Sequence, residues 1–178
     1  MNNKLNDVSM LGRMAYTIMC VEAFLKNCHG DRDWSPVATA MWKATSTNWG
    51  DWPEEYSAYI PDVLLSYDGF EDELAETITE GTYQRLLCLY NGITEGSEDD
   101  PTDEVNYMLN LPHKMAMIYE GTVIGDGKES FDIVKRAEKI LDSHNIPYPD
   151  YHKVLFSSAA ELNGWGNFFN GANLSIIL

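Results

Sequence analysis

Apolar residues in this chain recur at spacings of three and four, and no stretch of strand length alternates cleanly between apolar and polar. That period decides which element a segment can bury, because side chains three and four apart share a helix face while those two apart share a strand face. The clearest case is Val8, Leu11, Met14, Ile18, Val21, Leu25 and Cys28, one stripe of an amphipathic helix from about Asp7 to Asn27 that stops at Gly30. Trp34-Ser35-Pro36 predicts a second start, with Ser35 as N-cap and Pro36 at the first helical position, and Val37, Ala40, Met41 and Ala44 carry it on. Pro53-Glu54-Glu55 predicts a third start, with acids complementing the dipole, and Pro61 interrupts that segment or begins a new one anchored by Val63, Leu64 and Tyr67.

Two further patterns follow, Phe70, Leu74 and Ile78, then Tyr83, Leu86, Leu87 and Tyr90, separated near Gly81. Pro101 to Glu104 reads as a helix N-terminus ahead of Val105, Met108 and Leu109, with helix resuming beyond Pro112 as far as Tyr119. From Lys128 to His144 another stripe holds Ile133, Val134, Ala137, Ile140 and Leu141, with Lys135, Arg136 and Lys139 near its exposed face. Asp150 is placed to cap a short helix through Val154, Leu155 and Phe156. The segment from Asn163 to Leu178 has three glycines and reads as an irregular strap folded back onto the body. The expectation is all-α: a single globular domain over 1–178 with about eight helices and an irregular C-terminal strap.

Length supports this. A chain of 178 residues buries roughly two-thirds of the surface its unfolded form exposes, and 44% hydrophobic composition with five Trp, ten Tyr and six Phe is that of a globular protein. The most apolar run, Tyr16 to Leu25, contains Glu22 and falls well short of the roughly 20 residues a bilayer span needs. No basic region followed by an apolar one marks a secretion signal. Three cysteines without Cys-x-x-Cys spacing suit buried thiols in a reducing compartment, so the expected location is cytoplasmic.

The formal charge of −16 is concentrated. Between Lys43 and Lys114 stand sixteen acids against one base, Arg85, a local balance of −15. Acids on solvated faces keep a protein soluble, but a surface made only for solubility mixes both signs, because like charges repel. Segregation of this kind favours a cationic partner and argues against nucleic acid or an acidic membrane.

Motifs for chemistry are missing. His29, His113, His144 and His152 show no His-x-x-x-His spacing, and neither Gly121 to Gly127 nor Gly164 to Gly171 follows a phosphate-loop pattern. Cys28-His29 fails as nucleophile and base because adjacent helix positions diverge, so Cys28 is expected in the core; Asp31-Arg32-Asp33 is expected to be a surface ion pair. The expectation is therefore no catalytic residue, no metal and no cofactor. Trp49, Trp52 and Tyr56 follow a polar stretch and precede acids, a combination that an interface with a basic protein uses as anchors.

The end of the chain, Leu162-Asn163-Gly164-Trp165-Gly166, then Phe169-Asn170-Gly171 and Leu174-Ser175 with Ile176-Ile177-Leu178, resembles the ends of small acidic immunity proteins of bacterial polymorphic-toxin systems. The resemblance implies an all-α protein that binds and blocks a cognate toxin domain, many of which are nucleases with basic active surfaces. On that reading Asp68, Glu71, Asp72, Glu76, Glu95, Glu98, Asp99 and Asp100 would steer the toxin, and Trp49, Trp52 or Tyr56 would anchor it. Two alternatives stay open. One is a small helical ligand-binding or enzymatic domain; the other is a self-associating structural domain, a homodimer joined through its apolar end or through Met108, Met115 and Met117.

Overall fold

The structure is a computed structural model that describes residues 3–93, 100–119 and 127–178. Among these the chain forms eight α-helices and five short 3-10 turns, with one isolated antiparallel bridge, Val8 to Ser158, and no strand. The fold is all-α.

Helix α1 (Met10–Cys28) is the centre. Ser9 caps it, its hydroxyl accepting from the Gly12 amide at 3.1 Å. Every residue from Met10 to Leu25 is buried, so the helix is enclosed all round rather than amphipathic as the stripe suggested. The near-continuous apolar run from Tyr16 to Leu25 is the reason, since a helix apolar on every face can only be an inner one. Its last turn emerges into solvent, and Cys28 is exposed there, not in the core.

Helices α7 (Glu104–Tyr119) and α8 (Lys128–Ser143) pack on α1 and on each other. Helix α7 runs unbroken through Pro112, where the sequence implied a fresh start; the helix forgoes one amide donor there and continues because its face is buried from Val105 to Pro112. Its N-terminus follows Asp103, whose Oδ1 accepts from the Asn106 amide at 3.4 Å. In α8 the expected stripe is buried, while Lys135, Arg136 and Lys139 are exposed.

Helix α2 (Ser35–Trp42) covers another side of α1. Its cap is displaced by one or two residues from expectation: Trp34 holds the N-cap position, and the Asp33 carboxylate accepts from both the amide and the hydroxyl of Ser35. Helices α3 (Trp52–Ser57), α4 (Pro61–Leu64), α5 (Asp72–Ala75) and α6 (Glu80–Leu89) follow. The break before α6 falls at Thr79, whose hydroxyl accepts from the Thr82 amide at 3.2 Å, and Gly81 lies inside the first turn.

Asp150 caps the turn Tyr151–Val154 as expected, accepting from the His152 amide at 3.1 Å. The strap then crosses the body and is fixed at three places. The Leu11 amide donates to the Trp165 carbonyl at 3.1 Å, and the Phe169 amide donates to the Thr45 carbonyl at 3.0 Å. At the far end Glu22, fully buried in α1, accepts from the Ser175 hydroxyl at 2.5 Å and the Ile176 amide at 2.8 Å.

Candidate functional site

From Asp51 to Glu80 the chain carries ten acids and no lysine or arginine. The short helices α3 to α5 and their connections present them outward, because each turn buries only its apolar members, such as Trp52 and Tyr56, Leu64 or Leu74. Nine of the ten are exposed and Asp62 is half-buried. Among the described residues only Glu55 meets a basic side chain, Lys43 at 3.6 Å. Glu73 accepts from the Tyr67 hydroxyl at 3.2 Å, and burial, followed by that carboxylate, holds the phenol above its usual range.

Asp68, Glu71, Asp72 and Glu76 are therefore exposed on one continuous segment around the single buried Leu74. Asp100 is exposed too, but its carboxylate is engaged: it accepts from the Thr102 hydroxyl at 2.7 Å and amide at 2.9 Å, which together hold it below the ordinary carboxylate range. Glu95, Glu98 and Asp99 lie outside the described residues, as do residues 121–126 of the Gly121 to Gly127 loop.

The aromatic anchors are corrected. Trp49, Trp52 and Tyr56 are buried and each spends its polar atom internally, Trp49 Nε1 on the Ala44 carbonyl at 2.8 Å, Trp52 Nε1 on the Ala40 carbonyl at 2.9 Å, and the Tyr56 hydroxyl on the Leu109 carbonyl at 2.9 Å. Trp52 and Tyr56 stack at 4.8 Å with their planes 7° apart, so they hold α3 to the core instead of facing a partner. The methionine contact is corrected as well, since Met108 and Met115 are fully buried and only Met117 is exposed.

The ion pair expected within Asp31-Arg32-Asp33 takes another form. Asp33 pairs with Arg85 at 3.1 Å, while Arg32 donates to the Leu89 carbonyl at 2.6 Å. His144 meets Glu104 at 2.8 Å and His152 meets Asp150 at 2.7 Å, two separate pairs. No three ligating side chains converge among the described residues.

One feature that periodicity did not disclose lies under the strap. Between the Thr47–Trp49 turn and strap residues Leu162, Trp165, Gly166 and Phe168 there is a half-enclosed cavity of about 370 Å³. Leu162 and Phe168 at its edge are 62% and 63% exposed. The only trace in sequence is Leu162-Asn163-Gly164, a turn signal in which Leu162 and Asn163 adopt positive φ, 44° and 54°.

Compared with models of known families, with curated proteins and with solved structures, the chain matches none. No helix among the described residues is long and apolar enough to cross a membrane.

Proposed function

We propose that this protein is an immunity-type inhibitor, which binds a basic protein toxin through its acidic segment and thereby neutralises it. The observation that carries the reading is the run from Asp51 to Glu80, with ten acids, no base and nine of the acids exposed. An anionic face of this kind accelerates encounter with a cationic protein and repels nucleic acid, so it can occupy the surface a nuclease toxin would offer to its substrate. Glu71, Asp72 and Glu76 are the central steering residues, because none of them is engaged by a basic neighbour among the described residues. On this reading the protein acts by binding, with no chemistry of its own.

The test is capture of partners from lysate of the source cells by the immobilised protein at about 0.1 M and about 0.5 M salt, since exposed charge pairs are screened far more strongly at the higher value. The same capture uses a variant carrying Glu71→Lys, Asp72→Lys and Glu76→Lys. A basic protein held at low salt, released at high salt and not held by the variant supports the proposal. Retention unchanged by the three reversals, or no basic protein at either salt, overturns it.

A further inference from the structure

We infer that the cavity under the strap is a binding site for a neutral, largely apolar ring compound bearing one hydrogen-bond acceptor. At about 370 Å³ it falls toward the lower end of the roughly 300–1,000 Å³ that small-molecule pockets occupy. Leu11 of α1, buried, contributes to its lining, and the indoles of Trp49 and Trp165 meet edge to face at 5.1 Å and 82°.

The lining fixes the chemical class. No Asp, Glu, Lys or Arg borders the cavity, in a chain whose formal charge is −16. An ion entering it would give up hydration and find no opposite charge, whereas a ring would replace water on apolar surface. Two lining side chains keep an N–H able to donate. The Asn48 side chain uses its oxygen on the Gly50 amide at 3.2 Å, which leaves its NH₂ without a partner among the described residues, and the Trp165 indole N–H likewise has none there. The Thr47 hydroxyl is already spent on the Lys43 carbonyl at 2.9 Å. Hence the occupant carries an acceptor.

The strap backbone is fixed beside this cavity. Gly166, at φ 81°, seats the strap against the hydroxyl pair of Ser9 and Ser157, which are 2.6 Å apart. Leu162 occupies the left-handed region that a branched side chain avoids, and with 62% exposure its own burial does not compensate. A bound ring would cover both Leu162 and Phe168. The inference stands on the cavity alone and is independent of the acidic segment.

The test is fluorescence titration with N-phenyl-1-naphthylamine, a neutral probe that brightens in apolar surroundings. The expected result is a saturable one-site rise that Phe168→Asp weakens by roughly tenfold or more, through a charge at the mouth. Leu155→Asp, at an exposed position outside the lining, leaves it unchanged. Quinoline, neutral and with a ring acceptor, should displace the probe, and Asn48→Ala should weaken quinoline more than naphthalene, which has no acceptor. A rise that does not saturate, equal binding by the Phe168→Asp protein, or displacement by N-methylquinolinium as effective as by quinoline would overturn the inference.

Discussion

Arg13 and Glu22, both buried in α1, are each held by uncharged partners. Arg13 donates to the carbonyls of Leu5, Asn6 and Gly127 and to the Ser130 hydroxyl, and burial pushes its pKa down. Glu22 gathers the Trp42 indole at 2.7 Å together with Ser175 and Ile176. They stand nine positions apart in the helix, about 13 Å along its axis, so neither serves the other. Removing a buried acceptor leaves its donors unmet, and Glu22→Ala is expected to cost about 3 kcal/mol in urea unfolding and to open the strap's end to carboxypeptidase. A loss below about 1 kcal/mol would show that the strap does not depend on it. Glycine offers a paired test at the same scale. A Cβ on Gly166 would overlap the Ser9 hydroxyl and lie 2.6 Å from its Cβ, whereas at Gly92, also at positive φ, nothing stands within 4 Å. Gly166→Ala should therefore destabilise by about 3 kcal/mol and Gly92→Ala by about 1, the backbone strain alone.

At the scale of elements, the helices rest on caps that can be removed singly. Thr79→Ala should destabilise by about 1 kcal/mol, because it frees the Thr82 amide at the start of α6. Asp33 supports the start of α2, and the Ser35 hydroxyl, its amide and then Arg85 keep its carboxyl below the ordinary carboxylate range. A depressed folded value means that its contribution is present above the ordinary carboxylate range and lost as pH falls through the folded value; its solvent exposure keeps it small. Carboxyl NMR should show the Asp33 midpoint rising in Ser35→Ala, and no change would remove the hydroxyl as the main cause. Period and breakers made helix type legible almost throughout, because 3.6-residue spacing survives in any helix with one buried side. They misplaced the junctions at Pro112 and Gly81, where packing outweighed local preference. The same logic hid Trp49, Trp52 and Tyr56: a polar neighbourhood in sequence says little about a ring that turns inward and finds a carbonyl.

For the whole molecule, charge is the property read most directly from sequence, since side chains flanking short helices have no inward place to go. The cavity was not legible, because its walls come from residues more than a hundred positions apart that only the folded strap brings together. A segment this acidic repels itself, so raising salt from about 0.01 M to about 0.15 M should increase the melting temperature by about 2–4 °C, equivalent to about 1 kcal/mol at this size. A fall over that range would mean that favourable ion pairs outweigh the repulsion.

The clasp on Glu22 also sets a clock for biosynthesis. Its strap partners follow it by 153 and 154 positions. At about 5–20 residues per second, roughly 8–30 s pass between the appearance of Glu22 and that of the groups that complete its shell. Through that interval the nascent α1 cannot be sealed as it is in the finished protein, and a polypeptide cut short before Ser175 would carry an open wound along its innermost helix, the kind of lesion that cellular quality control removes.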